Sequence, residues 1–165
     1  VIKLTQVELK TNLHYCPDTG IFTWLVSNTN SVKVGDIAGS LTAEGYLRIV
    51  VNYKEHRAHR LAWLYMYGEF PKCQIDHING IRNDNRLLNL RDVTNSENGQ
   101  NRRKAQANNK SSGLLGVTWD KSSNKWKVSI GIDGRQFNIG LFTDKYEAHD
   151  AYLNKKREVH PTCTI

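Results

Sequence analysis

Cysteine is scarce and poorly placed for cross-linking. Cys16, Cys73 and Cys163 are odd in number, far apart, and form no Cys-x-x-Cys pair. A disulfide framework and a structural zinc site are therefore not expected, and a reducing, cytoplasmic setting is. No run approaches eighteen apolar residues, which argues against a membrane span. The opening Val1-Ile2-Lys3-Leu4-Thr5-Gln6 lacks a basic region followed by an apolar stretch, so no secretory signal is expected there. A start on Val1 rather than methionine fits a processed or trimmed end. No internal repeat is visible. Acid is missing from a long stretch: between Asn98 and Trp119 there is neither Asp nor Glu.

What is present is basic charge. Lys and Arg number 23 against 16 for Asp and Glu, a net charge of +7 with a pI near 9.4. Such an excess concentrates a phosphate polymer by counterion release. Ribosomal, membrane-surface and nuclease proteins share this balance. A hydrophobic fraction of 39% and a mean hydropathy of −0.57 fit a soluble protein. At 165 residues the chain can bury a core, near the size where two small domains compete with one.

Residues 1 to about 70 read as short strands and turns ending in one helix. Asp18-Thr19-Gly20 signals a turn, and Gly45 to Val51 is rich in β-branched residues, as a strand should be. Asn52-Tyr53-Lys54-Glu55 turns the chain, and His59 to Gly68 carries helical spacing and stops at Gly68, with Pro71 beyond. A hydrophilic connector, Gln100 to Ser112, holds Arg102, Arg103, Lys104 and Lys110. From Gly113 onward the pattern is strand, strand, strand, helix. Lys125 to Ile132 alternates, with Trp126, Val128, Ile130 and Ile132 on one face. Ser122-Ser123-Asn124 and Asp133-Gly134 are turn signals. Thr143 opens a partial capping box with Tyr146 in the acid's place, and Ala148, Ala151, Tyr152 and Lys155 form the sheet-facing stripe of a helix to about Val159.

The chemistry concentrates in Gln74-Ile75-Asp76-His77-Ile78-Asn79-Gly80, with Asn89 and Asn98 beyond it. Phosphodiester hydrolysis needs an activated water, charge neutralisation on phosphorus and help for the leaving oxygen. A neutral His can take the proton from water, and one Mg²⁺-like ion can supply the rest. Mg²⁺ keeps several waters, so a carboxylate and an amide oxygen, the types at Asp76 and Asn98, suffice as protein ligands. Neighbours on a strand face opposite ways, so His77 beside Asp76 requires irregular geometry, which Ile78-Asn79-Gly80 can supply.

Asp76 to Gly80, Asn83-Asp84-Asn85-Arg86-Leu87-Leu88-Asn89-Leu90-Arg91 and Thr94 to Asn98 resemble the core of HNH homing endonucleases of phage and intron origin. Gly45-Tyr46-Leu47-Arg48 and Ala58-His59-Arg60-Leu61-Ala62-Trp63 resemble the segment before that core. The resemblance implies a ββα-metal (His-Me finger) module gripping one divalent cation. It implies His77 as general base, Asp76 and Asn98 as metal ligands, and Asn89 as the residue bracing the loop through backbone hydrogen bonds. Many such enzymes carry His in the last position; Asn98 here favours Mg²⁺ or Mn²⁺. Arg102, one turn beyond Asn98 if the helix continues, either touches the scissile phosphate or is a solvated connector arginine. His59 reads as a packed or capping histidine, and His56 as a solvated one in a turn.

Gly116-Val117-x-Trp119, Lys125-Trp126-x-Val128-x-Ile130, Ile139-Gly140-x-Phe142 and Ala148-x-x-Ala151-Tyr152 are similar to APETALA2-type DNA-binding domains. The resemblance implies a three-stranded antiparallel sheet laid on DNA, with one helix behind it. Candidate DNA contacts are Arg103, Lys104, Lys110, Trp119, Lys121, Lys125, Lys127, Arg135, Gln136 and Asn138. Cations there would hold phosphates, while Gln136 and Asn138 read base edges. Fewer arginines on the strands than in the plant domains leave base-specific readout open.

The expected fold is α+β: an HNH nuclease domain over 1–101 with its core at about 70–101 and a β-rich N-terminal extension, a basic linker at 102–112, and the sheet-plus-helix domain over 113–165. The expected activity is metal-dependent, site-specific cleavage of double-stranded DNA, as in a homing endonuclease, in the cytoplasm of a bacterial host if phage-encoded. A DNA-binding regulator with an inactive nuclease core is the alternative. A basic RNA-associated protein is a third, disfavoured because the outward sheet face has few aromatics for stacking. Monomer and homodimer both remain open, and no membrane partner is expected.

Overall fold

The computed structural model describes residues 3–27, 31–106, 109–132, 134–160 and 162–164. It is a mixed α and β chain built from small antiparallel sheets. It divides into two compact units, 1–95 and 96–165.

The first unit opens with a helix the sequence reading missed, α1 (Gln6–Asn12). Thr5 and Glu8 close a capping box: the Thr5 hydroxyl accepts from the Glu8 amide, and the Glu8 carboxylate accepts from the Thr5 amide. That signal, Thr-x-x-Glu, was present but its apolar face is narrow, since Leu9 is the buried residue of the helix. A hairpin follows, β1 (Leu13–Cys16) against β2 (Ile21–Trp24), turned by Asp18-Thr19-Gly20 as expected. Then β3 (Ser40–Leu41), β4 (Leu47–Val51) and β5 (Lys54–Arg57) form an antiparallel sheet in that order. Only Asn52 and Tyr53 make the β4–β5 turn, both with positive φ (49° and 60°), the twist a tight hairpin needs.

Helix α2 (Ala58–Tyr67) buries Ala58, His59, Leu61, Ala62 and Leu64. It ends where Gly68 takes a left-handed φ of 81°, a conformation free of steric penalty only for glycine. The unit closes with β6 (Gln74–His77) paired antiparallel to β7 (Leu90–Val93). Leu9, Leu13, Tyr15, Phe22, Ile49 and Leu61 share one core with Ile75 and Leu90, so the strands bearing the candidate site are anchored in it.

The β-rich extension also buttresses the 83–89 loop. Leu87 donates its amide to the Pro17 carbonyl (2.9 Å), and the Tyr15 hydroxyl donates to the Asn85 carbonyl (2.7 Å). Gly20 permits this approach, because a β-carbon there would lie 2.4 Å from the Arg86 amide nitrogen.

In the second unit α3 (Asn95–Gln100), which starts on the last residue of the first, ends before Arg102. The Thr162 hydroxyl donates to the Glu97 carbonyl, and Thr164 donates to Asn101 Oδ1. Next come β8 (Val117–Asp120), β9 (Lys125–Ile132) and β10 (Arg135–Phe142), an antiparallel sheet ordered β10-β9-β8. Helix α4 (Lys145–Val159) packs on it through Ala148 and Tyr152, against Val117, Val128 and Ile130.

Three expectations shift here. Asp144, not Thr143, caps α4, accepting from the Tyr146 and Glu147 amides, because a carboxylate one residue closer meets both donors. The buried lysine is Lys156, at 1% exposure, while Lys155 pairs outward with Glu158. The connector is not a bare linker, since Lys156 Nζ donates to the Arg102 carbonyl (2.5 Å). Asp133 of the expected hairpin turn lies outside the described residues, as do Ala107 and Asn108 of the connector.

Candidate active site

Asp76 and His77 are consecutive on β6 and both are buried. The strand ends at His77, and Gly80, with φ 75°, donates its amide to the His77 carbonyl, closing a turn just after the pair. The bend thus follows the pair, while Asp76 and His77 themselves keep regular antiparallel register with Arg91 and Leu90.

Asn89 lies in the short 3-10 turn Leu87–Asn89, and both ends of its amide are used. Its Oδ1 accepts from the Asn79 amide (2.9 Å), and its Nδ2 donates to the Asp84 carbonyl (2.8 Å). Its own carbonyl accepts from the Ile78 amide (2.9 Å). Three backbone groups on either side of the 79–84 loop thus converge on one residue, fixing the turn after His77.

His77 is packed by aromatic rings. His59 meets it edge-on, with centroids 5.1 Å apart, and Tyr46 lies 6.0 Å away. Tyr46 is in turn covered by the guanidinium groups of Arg57 and Arg82, 5.2 and 5.0 Å from its ring. Burial pushes the His77 imidazole below its ordinary range; the Asn85 hydrogen bond and the carboxylates of Asp76 and Asp84 oppose this, and Arg82 adds to it. The net effect favours the neutral ring. Its Nε2 faces Asn85 Oδ1 at 3.4 Å, while Asn85 Nδ2 donates to the Asn83 carbonyl. An amide oxygen only accepts, so a proton on Nε2 satisfies this contact and leaves the Nδ1 lone pair to act as a base.

His59 is driven further down, to about 3, by burial first and then by His77 and the nearby arginines. Its Nδ1 is buried without a hydrogen-bond partner. The packed histidine expected at this position is what the fold shows. His56 departs from expectation: it sits on β5 rather than in a solvated turn, stacks on Phe70, and has its Nε2 buried.

Asp76 is held by Arg91, which stands opposite it across the β6–β7 pair. Arg91 Nε and Nη2 both donate to Asp76 Oδ2, at 2.9 and 2.7 Å. Both side chains are mostly shielded, at 23% and 10% exposure. Nearby, Arg86 clamps Asp84, which its hydrogen bonds hold down to about 2. Sequence reading named neither Arg91 as Asp76's partner nor Asn85 as His77's. Both lie inside the quoted Asn83 to Arg91 segment, but pairing them requires the strand register.

Asp76 offers a carboxylate, a hard oxygen donor suited to Mg²⁺ or Mn²⁺. A carboxylate has lone pairs on both oxygens and can take several partners at once, so the Arg91 bonds to Oδ2 do not by themselves bar a cation. Among the described residues no group of three or more His, Cys, Asp or Glu side chains is arranged so as to hold a metal ion. Asn98 belongs to α3 in the second unit and is half-buried there.

The basic candidates of the second unit are exposed. Arg102 donates its amide to the Gly99 carbonyl beyond the end of α3, and Arg103 Nη2 donates to Thr164 Oγ1. Lys104, Lys110 and Lys121 lie on the surface outside the strands. The register separates the remainder. Lys125, Lys127 and Ser129 of β9 share the face turned away from α4 with Gln136 and Asn138 of β10, Asn138 standing opposite Ser129. Trp119 stands opposite Trp126 (centroids 4.7 Å) and Arg135 opposite Ile132, on the face that carries the core. Arg102, Lys104, Thr118, Ser129 and Gln136 line a cleft of about 570 Å³ within this unit.

Residues 56–100, from the end of β5 through α2, β6, β7 and α3, match the sequence pattern of the HNH endonuclease family. Protein 3.8 of Escherichia phage T7 is 33% identical over 109 residues, 66% of this chain and 88% of that protein. The chain belongs to the HNH endonuclease family. It is also similar to the HNH homing endonuclease I-HmuI, a protein whose structure concerns DNA binding and cleavage. That likeness has 25% identity and a TM-score of 0.42, over 55% of this chain and 51% of that one. The chain thus spans about half of I-HmuI. Among the described residues no helix is long and apolar enough to cross a membrane.

Proposed function

We propose that this HNH family member is a metal-dependent endonuclease that cleaves double-stranded DNA at specific sites, as a homing endonuclease does. One observation carries the reading. A buried, neutral imidazole with Nε2 engaged by Asn85 and Nδ1 left as base sits beside a carboxylate at the end of a strand. Asp76 would hold the cation, Mg²⁺ or Mn²⁺, with Asn98 as second ligand on the strength of the family resemblance. When bound, the cation supplies charge neutralisation at the phosphoryl group and help for the leaving oxygen.

His77 Nδ1 accepts a proton from water as the water oxygen bonds to phosphorus. The bond from phosphorus to the 3′ oxygen breaks, leaving a 5′-phosphate, and the 3′ oxygen takes a proton from solvent. Asn89 keeps the turn after His77 in place, so it acts by positioning. The net charge of +7 and the outward face with Lys125, Lys127, Gln136 and Asn138 would hold the duplex.

Relaxation of supercoiled plasmid carrying candidate target DNA tests this, with Mg²⁺ or EDTA. Metal-dependent nicking or linearisation is expected for the wild type. His77→Ala should lose it while keeping DNA affinity. Binding without strand breaks, across targets and metals, would support the inactive-core regulator instead. Linear product from a single encounter would indicate two active sites acting together; nicked circles alone, one site on a monomer.

A further inference from the structure

Asp76 already has a cation. Arg91 places two nitrogens on one of its oxygens, at 2.9 and 2.7 Å, from the opposite position on the neighbouring strand. Both partners are shielded, so the attraction between them is stronger than at an open surface. A guanidinium fork fixes a carboxylate's plane as well as its charge. A divalent ion on the same carboxylate would stand within a few ångströms of that fixed positive charge. Like charges at that separation in a shielded site repel by more than a surface pair would.

Resting on the reading of Asp76 as a ligand, we propose that Arg91 is a resident counter-cation: it orients Asp76 through Oδ2 and holds the free protein's affinity for a divalent ion low. Arg91 is then a positioning residue with an electrostatic penalty built in. It keeps the carboxylate aimed, and it limits how tightly an ion is held there.

The test is a Mn²⁺ titration of the full chain without DNA, with free Mn²⁺ read by electron paramagnetic resonance. Arg91→Met is expected to bind Mn²⁺ about tenfold or more tightly than the wild type. Arg91→Lys keeps the charge and should stay within about threefold of the wild type. Arg91→Gln, a polar replacement that also removes the charge, should tighten binding as Arg91→Met does, and it serves if the latter does not fold. Adding Asp76→Asn to either neutral variant should abolish the gain. Equal or weaker binding in both neutral variants, with the wild type binding measurably, overturns the counter-cation while leaving the metal reading intact. Absence of Mn²⁺ binding in every variant overturns both. Because no cleavage is measured, failure of the nuclease reading in the plasmid assay is a separate result.

Discussion

Replacing Asn89 by Ala should damage the site by loosening the loop rather than by removing a reacting group. Asn89 is 8% exposed, and its side chain satisfies the Asn79 amide and the Asp84 carbonyl at 2.9 and 2.8 Å. A net hydrogen bond is worth about 1 kcal/mol, and leaving a buried partner unsatisfied raises the loss to about 1–3 kcal/mol. Two such partners give about 2–6 kcal/mol, toward the lower end where water reaches the half-buried Asn79 and Asp84. That is a large fraction of a typical domain's stability. Asn89→Asp separates the two bonds: it keeps the acceptor for Asn79 and sets an oxygen against the Asp84 carbonyl, so it should also destabilise. Urea unfolding gives the global loss. Hydrogen exchange of the Asn79 amide gives the local one, and protection there should fall in Asn89→Ala and survive in part in Asn89→Asp. A change under about 0.5 kcal/mol with Asn79 protection intact in Asn89→Ala would refute the bracing role.

Two further outcomes follow from buried titratable groups. His59 has a folded pKa near 3 against an ordinary 6.5, so the unfolded chain binds more protons between those values. Stability from this group is complete above pH 6.5 and is lost as pH falls toward 3, by up to about 1.4 kcal/mol per pH unit; His59→Gln should flatten that part of the urea-stability profile, and an unchanged slope would contradict the burial argument. Lys156 is pushed below its ordinary 10.5, chiefly by burial, so stability should rise with pH up to about that value. Lys156→Met, which removes the buried charge at similar volume, should remove the alkaline rise and leave stability at neutral pH within about 1 kcal/mol. A loss well beyond that would mean that the bond to the Arg102 carbonyl outweighs the cost of burying the ammonium.

What the sequence disclosed divides along a physical line. Strands β9 and β10, helices α2 and α4, and the turns at Gly20 and Gly68 were legible because alternation, helical spacing and glycine stops are local properties. Asp76 and His77 stood out as candidates because an acid beside an imidazole is chemically conspicuous, and Asn89 because the family resemblance places it. Their partners were not. Arg91 acts on Asp76 only because antiparallel pairing sets residue 76 opposite 91, and Asn85 reaches Nε2 of His77 only because the loop folds back. His59 and Tyr46 meet His77 through packing across separate elements. Register likewise sets Trp119 and Arg135, named as DNA contacts with the sheet-plus-helix resemblance, on the core-bearing face, where both are nonetheless exposed. The same limit explains Lys156. A one-residue error along α4 turns the side chain by about 100°, enough to exchange a solvated lysine for a buried one. Residue types therefore announce which groups can do chemistry, while the protonation state and charge balance that make them competent are set by neighbours distant in sequence.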